Sequence, residues 1–573
     1  MTTADAIVLA GGRATRMGGV DKPGIVVGGR SMLEAAVAAT AGCRHTVVVG
    51  PYRPDLPAEI RQVQEVPAGA GPVAAIAAGL AAPGDAEVVV ALAADMPFLT
   101  GAAVGELIEH LDRSGADAVF AADETGRPQY LVGVWRRTVL TAAVAALPSL
   151  MNQPMKALVP PRTALLPLAG VADCDTADDV RRARARSAPL SLDEARNMLR
   201  RKLTRLPVRE SGLRTAAGAA LARSLVAADA LPRFDVSAMD GYAVSGDGPW
   251  QVRHDIGFAG GARPAGLRAG EAVRIATGAH VPDGATAVLR DEFVRVAASE
   301  LNRLPDMPIR DDRRRRGEDW DAGDVVAPAG TVVSAALISV AASAEVATAL
   351  VRGPVRARIV MTGDEIRSDG PLRAGQTRDS IGPVLPELLA RCGITVVDRV
   401  HLRDTATGFD EVLTAGDDCD LLVVVGATGG GAADQLRDAL DRAAARTLVH
   451  RVRLRPGGSS VVAEIPSGAA ILGLPGNPFA AVATLLVLAP AVVAGLTGAA
   501  STRPIVGPLR NAGAVADSAT RITTARAVPE GGWIADPGVR TNHLAGLLDR
   551  DGLVVVPPGA TDDALVEFLP LPS

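Results

Sequence analysis

The stretch Leu9-Ala10-Gly11-Gly12-Arg13-Ala14-Thr15-Arg16-Met17-Gly18-Gly19-Val20-Asp21-Lys22 decides how this chain reads. It follows Ala6-Ile7-Val8-Leu9, an apolar run with the length and flanks of a buried strand. Paired glycines end that run and let the backbone approach a ligand with no Cβ in the way. Successive peptide N–H groups in such a loop can form an anion-binding hollow. Arg13, Arg16 and Lys22 add positive charge beside it. A hollow of donors ringed by cations suits a nucleoside triphosphate. An ordinary Gly-rich turn with solvated cations has the same spacing, and spacing alone leaves both open. The loop is not of the Walker A type, because Gly-Lys-Ser/Thr is absent.

Read as a set, Leu-Ala-Gly-Gly, Arg16-Met17-Gly18-Gly19 and Asp21-Lys22 closely resemble the signature of nucleotidyltransferases, specifically of MobA-type molybdenum cofactor guanylyltransferase. The resemblance continues through Gly71-Pro72-Val73, Asp95-Met96-Pro97-Phe98 and Asp173-Cys174-Asp175-Thr176, across the first 185 residues. It implies that Leu9, Ala10, Gly11, Gly12, Gly71 and Lys22 hold GTP, with Arg16 and Lys22 offsetting the triphosphate charge. It also implies an acidic residue upstream of the Gly-Pro turn that contacts guanine, and Glu65 is the nearest. Asp173 and Thr176 would cap the helix 177–185. Asp95 would hold Mg2+, a cation that takes one or two carboxylates and completes its shell with water and phosphate oxygens. An Asp after a strand is otherwise often a helix cap. The implied reaction is attack by a phosphate oxygen of molybdopterin on the α-phosphate of GTP, releasing pyrophosphate. CTP or a sugar phosphate as substrate are alternatives for this module.

Composition bounds the rest. At 573 residues the chain exceeds one core and should hold several domains. Apolar residues make up 48% and aromatics only 3%, so the cores must be packed from Ala, Val and Leu. A net charge of −5 gives no global field for nucleic acid or membrane, so anion binding must be local. Cys43, Cys174, Cys392 and Cys419 are scattered, which argues for reduced thiols in a cytoplasmic protein rather than zinc or disulfides. The N-terminus lacks a basic n-region, so no signal peptide is expected. Phe479–Leu496 is nearly long and apolar enough to span a membrane. Its Pro490 and the preceding Pro-Gly-Asn-Pro turn favour a buried helix, broken or kinked near the proline.

In the first third, strand-like runs at 46–49, 88–93 and 116–121 alternate with helix-like stretches at 31–40, 73–82 and 101–111. Such alternation predicts a Rossmann-like parallel sheet covered by helices, with ligands beyond the carboxyl ends of the strands. The glycine loop and Asp95 would then share one edge.

A join is expected near 186, where Arg-, Ala- and Ser-rich sequence gives way to a capping box at Ser191–Glu194. Beyond it, Phe234-Asp235-Val236-Ser237-Ala238-Met239-Asp240-Gly241-Tyr242-Ala243-Val244 closely resembles the signature of molybdopterin molybdenumtransferase, the MoeA and gephyrin group. The likeness runs to the C-terminus through Ile275–Ala279, Arg314–Asp319, Met361–Glu365, Arg403-Asp404, Gly426–Gly431 and Leu474–Pro478. It implies insertion of molybdate into adenylylated molybdopterin, with release of AMP. Implied catalytic residues are Asp240, Thr277, Asp319, Glu365, Asp404 and Asp434, with Glu365 and Asp404 holding Mg2+. Thr428, Gly429, Gly430, Arg455 and Pro475-Gly476-Asn477-Pro478 would hold the pterin. In that group the part carrying Asp240, Thr277 and Asp319 reaches the site of a partner subunit, so a homodimer is implied, and contact with other molybdenum cofactor proteins is a further option. Read from the residues themselves, four strand-like segments end in Gly or acidic residues, so a second α/β sheet would gather Glu365, Asp404, Asp434 and Pro475–Pro478 at one rim.

Departures from the group's pattern point to an alternative, a pterin-binding and dimerisation module with impaired chemistry. Ile381 stands where Asn is usual, the Ser-Gly-Gly loop reads Thr428-Gly429-Gly430, Ala432 replaces a serine, and Pro456-Gly457-Gly458-Ser459 lacks a lysine. Arg455 could still bind an oxyanion. The resulting architecture is an α/β multidomain chain. Its expected parts are the nucleotidyltransferase module (1–185), the MoeA-like N-terminal and linker subdomains with β-rich structure (186–354), a molybdopterin-binding α/β domain (355–500) and a small C-terminal β domain (501–573). Two consecutive activities on one tether would share an intermediate at ~mM local concentration.

Overall fold

The computed structural model describes residues 2–11, 21–123, 125–308, 310–403, 405, 407–414, 418–429 and 435–571. The N-terminal sheet has seven strands in the spatial order 61–63, 45–49, 4–9, 88–93, 128–136, 118–122, 163–167. The first four run parallel. Val88–Ala93 lies at the centre and is buried along its whole length, as a strand covered on both faces must be. Helices Met32–Ala39, Pro72–Ala81 and Gly101–Ser114 fall within two or three residues of their expected positions.

The sheet is mixed, not parallel throughout. Pro128–Arg136 runs antiparallel to both of its neighbours. The cause is local: Asp123 Oδ1 accepts from the backbone N–H groups of Thr125 and Arg127, closing a tight turn. A turn that short can only return the chain as a hairpin, because a parallel partner needs a long crossover. Thr176 caps the helix Ala177–Arg186, but its partner in the capping box is Asp179, not Asp173.

The second α/β sheet orders its strands 394–402, 355–362, 421–425, 470–474, 461–464, 446–449. The first four are parallel, so their carboxyl ends share one rim. The apolar helix Pro478–Thr497 lies in this core, 83% of its most apolar window being buried. It runs unbroken through Pro490, so of the expected break or kink the break does not occur. In the turn before the proline, Val487 O accepts a hydrogen bond from Arg196 Nε at 2.9 Å. Tight packing of Leu485, Leu488, Ala489 and Val492 holds the rest. Between the two α/β sheets in sequence comes a six-stranded sheet built from 241–303. At the C-terminus, strands 520–527, 533–535, 505–509, 564–570 and 552–556 close into a ring, because the first pairs with the last.

The join near residue 186 is packed instead of loose. Leu190 exchanges backbone hydrogen bonds with Arg451 and Arg453 of the second α/β unit, at 3.2 and 2.6 Å. Val26, from the first unit, is buried in one cluster with Leu192, Val452 and Leu472. Lys202 Nζ meets Glu34 at 2.7 Å. The helix Leu192–Lys202 lies against Pro478–Thr497 at Gly495, where any Cβ would overlap Leu199 O. Gly495→Ala should therefore destabilise the chain by about 1–3 kcal/mol through overpacking, read as an earlier transition in urea unfolding.

Candidate functional site

The first strand ends at Leu9, and Ala10 continues its ladder by donating to Val49 O at 2.8 Å. Ala94 N donates to Leu9 O at 3.0 Å, so Ala10-Gly11 and Asp95 leave adjacent parallel strands side by side. This is the shared edge that the strand pattern predicts. Gly12 and Arg16 lie outside the described residues.

Lys22 sits at the centre of this edge. Its Nζ donates to Asp95 Oδ2 at 2.6 Å and to Asp175 Oδ1 at 2.7 Å. Burial pulls its pKa down, but the Asp95 and Asp175 charges outweigh that and hold it above the ordinary lysine value. Asp173 lies in the same cluster. Burial, and then the charges of Asp175 and Asp95, push its carboxyl above the usual range. Asp173 and Asp175 face one way because alternate residues of an extended segment do. Cys174 between them points into the core and is 2% exposed, and its N–H donates to Asp95 O at 3.1 Å. Asp175 was legible only as part of a motif, not as the partner of Lys22.

Two carboxylate oxygens here are buried without a hydrogen-bond partner, Asp95 Oδ1 and Glu65 Oε2. No other Asp or Glu of the described residues has such an oxygen. Glu65 is 6% exposed, and its Oε1 accepts from Gly69 N at 2.8 Å. That oxygen faces Gly11, where an added Cβ would stand 3.7 Å from it. Gly71 has φ 102° and abuts Asn152. A buried lone pair left unmatched costs free energy unless a ligand meets it. Among the described residues no three His, Cys, Asp or Glu side chains are placed so that together they could hold a metal ion. A small oxygen donor set with one unmatched lone pair fits Mg2+, which borrows its remaining ligands from phosphate and water.

Asp240 and Thr277 are joined elsewhere. Asp240 Oδ1 accepts from the backbone and hydroxyl of Thr277 at 2.7 and 2.9 Å, and those bonds hold its carboxyl below the ordinary value. Asp319 pairs with Arg314. The loops are neighbours, because Ser237 pairs with Arg313 in a two-stranded ladder and donates to Ala279 O.

At the rim of the second α/β sheet, Glu365 is exposed just beyond Val355–Thr362. Asp404, Gly430 and Asp434 lie outside the described residues. Thr428 is 2% exposed, with Oγ1 3.3 Å from Ser459 Oγ, and Gly429 follows it into solvent. The Pro475–Pro478 turn adjoins them, since Gly426 N donates to Leu474 O and Gly476 faces Gly426. Arg455 pairs with Asp517 of the C-terminal ring at 2.9 Å, so its charge is partly offset. Arg437 was not singled out from sequence. Its guanidinium donates to the carbonyls of Thr428, His450 and Ser459 at 3.0, 3.1 and 2.6 Å, fixing the glycine loop to two other segments. Only tertiary folding brings those carbonyls together, so no local signal marks it.

Comparison with known proteins bears on this geometry. Residues 6–161 match the MobA-like NTP transferase domain, 190–344 the MoeA N-terminal region (domain I and II), and 358–494 the probable molybdopterin binding domain. Molybdopterin molybdenumtransferase 2 of Mycobacterium tuberculosis is 35% identical over 290 residues, covering 47% of this chain and 70% of that protein. The chain belongs to the molybdopterin molybdenumtransferase family. Another similar member, from Haemophilus influenzae, is 29% identical over 54% of this chain and 78% of its own length. A crystal structure of the molybdopterin biosynthesis moeA protein from Pyrococcus horikoshii shares the fold over 67% of this chain and all of its own, with TM-score 0.55 and 18% identity.

This member of the family thus carries a MobA-like NTP transferase domain ahead of the family's own regions, and it is a transferase of molybdenum cofactor biosynthesis. Lys22 is what keeps three carboxylates together in the transferase domain. Asp173 already binds its proton more tightly folded than unfolded, so its contribution to stability falls as pH rises through that range. Lys22→Met should steepen that fall, giving a thermal midpoint that drops by more between pH 4 and pH 7 than in the unaltered chain.

Proposed function

We propose that the chain carries out two consecutive steps of molybdenum cofactor synthesis, with module limits at 1–185, 186–354, 355–500 and 501–573. The C-terminal part inserts molybdate into adenylylated molybdopterin and releases AMP. The N-terminal part then transfers GMP from GTP to the product and releases pyrophosphate. The observation that carries the second step is the edge where Gly11, Glu65, Lys22 and Asp95 meet, with one unmatched oxygen on each carboxylate.

In the transfer, a phosphate oxygen of the pterin forms a bond to the α-phosphorus of GTP. The bond to the bridging oxygen breaks, and pyrophosphate leaves with that electron pair. The attacking phosphate is already ionised, so no general base is required. The residues position the reactants and offset charge, which is most of what phosphoryl transfer needs. The Ala10 N–H is taken by Val49 O, so the backbone donors for the phosphates begin at Gly11, and Lys22 offers its ammonium beside them. Arg16 and Gly12 belong to the same loop in sequence. Mg2+, held by Asp95, would supply positive charge against the triphosphate. Glu65 favours guanine over cytosine for a chemical reason. Its free Oε2 accepts hydrogen bonds, and guanine presents two adjacent donors, N1–H and the 2-amino group, where cytosine presents one donor, its 4-amino group, beside two acceptors, N3 and O2.

For molybdate insertion, Thr428, Gly429 and the Pro475–Pro478 turn hold the pterin, with Glu365 at the same rim; the family pattern assigns Asp404 and Asp434 to the same step. Asp240, Thr277 and Asp319 act on the site of a partner subunit, which makes the working form a homodimer. A second reading, a pterin-binding module with impaired insertion, is favoured by two observations: Arg455 is paired with Asp517, and Ser459 occupies the loop that lacks a lysine.

The chain supplied with molybdate, adenylylated molybdopterin and Mg-GTP should yield the guanine dinucleotide cofactor, detected by mass spectrometry. Asp95→Ala should lower GMP attachment by about 100-fold or more while AMP release persists; an unchanged rate would sink the metal assignment. Glu65→Gln exchanges an acceptor pair for a mixed donor and acceptor. It should cut the preference for GTP over CTP by about 10-fold or more in kcat/KM. Pterin binding without molybdate-dependent AMP release would establish the second reading.

A further inference from the structure

A cavity of about 460 Å³ opens where the helix Ala177–Arg186 of the transferase domain faces the glycine loop of the second α/β sheet. Arg181 and Arg184 form one wall, and Thr428, Gly429 and Ser459 form the other. Its lining holds four arginines against two aspartates, an excess of two positive charges. The histidine there, His450, adds no charge. Burial, then the charges of Arg437, Arg184 and Arg451, pull its pKa to about 3. Arg451 makes no ion pair with any described residue. The other wall offers hydroxyl groups and a glycine, which suit close approach by an oxyanion.

The cationic wall is built into the fold. Arg181 and Arg184 stand three residues apart, on one face of the helix. Arg184 is 7% exposed, and its Nε donates to Val26 O at 3.1 Å. Both arginines lean on Asp441, at 3.6 and 3.3 Å. Burial pushes Asp441 above the usual carboxylate range despite these partners. The same helix begins at Thr176, next to Asp175, which takes the Lys22 ammonium. Ten residues of helix span ~15 Å, so one element reaches from the triphosphate edge to the cavity.

We propose that this cavity is a composite site for a phosphate-bearing pterin, with the phosphate gripped at the seam by Arg181, Arg184 and Arg451. The pterin body lies toward Thr428 and Gly429. The transferase domain thereby completes the binding site of its neighbour, and Asp441 is the counter-ion that the phosphate displaces. This rests on the pterin-binding reading of the C-terminal part.

The test uses the full chain and two fluorescent probes, an oxidised 6-substituted pterin monophosphate and the same pterin without phosphate, followed by anisotropy. Arg181→Ala and Arg451→Ala should each weaken the phosphorylated probe by about fivefold or more and leave the other unchanged. Asp441→Asn should tighten the phosphorylated probe. Mg-GTP in excess should not displace it, and calorimetric GTP binding should be the same in every variant. Circular dichroism confirms that each variant is folded. Unchanged affinity in both arginine variants, or equal loss of both probes, overturns the composite site while leaving the pterin reading intact. Displacement by Mg-GTP makes the cavity a nucleotide phosphate site and overturns it too. Failure of the unaltered chain to bind either probe overturns the composite site together with the pterin reading.

Discussion

One ammonium group sets the geometry of the transferase edge. Lys22 lies between Asp95, which leaves the central strand, and Asp175, which precedes the seam helix. Without a cation, Asp95, Asp173 and Asp175 would repel one another in a half-buried space. With it, three segments far apart in sequence are fixed together. The arrangement also leaves one Asp95 oxygen unmatched, so the ammonium organises the site without saturating it. A fully matched cluster would be more stable and would have nothing to offer a ligand. Glu65 repeats the pattern, one oxygen engaged by Gly69 and one left over.

The same constraint carries into the join between modules. Because Asp175 is held by Lys22, the helix that starts at Thr176 has its origin fixed, and so has the direction in which Arg181 and Arg184 project. Leu190 then pairs with Arg451 and Arg453, and Val26 is buried with residues of the second α/β sheet. A tether that only raises local concentration needs none of these contacts. A packed seam gives the two modules a defined relation, at the cost of the freedom that a flexible linker keeps.

Much of the fold was legible because it rests on local pattern. The alternation of apolar runs and helix-like stretches locates both α/β sheets, and it places the end of the first strand beside Asp95. The mixed sheet was missed because its cause is a five-residue turn whose side-chain bonds, not its hydrophobic period, reverse the chain. At Pro490 the expected break is absent for the opposite reason: the local rule is sound, but the packing of a wholly apolar helix keeps the helix continuous. Asp175 and Arg437 were out of reach for a further reason. Asp175 lies 153 residues from Lys22 in sequence. Arg437 finds its three carbonyls only after three segments have closed around it.

The Arg455 and Ser459 positions show how charge can be redistributed in a fused chain. The loop 456–459 has no cation of its own, and Arg455 beside it is turned to Asp517. The cavity next to Ser459 nevertheless carries an excess of arginine, and two of those arginines come from the other module. An anion entering there meets a positive wall whichever chain segment provides it, since the field at the cavity depends on position and burial, not on sequence order. Arg184 is held by Val26 O and Asp441, so its charge is already oriented and little side-chain entropy remains to be lost on binding. Rigid packing at the seam is what makes such borrowing physically effective: a wall on a flexible tether would spend its attraction on ordering itself.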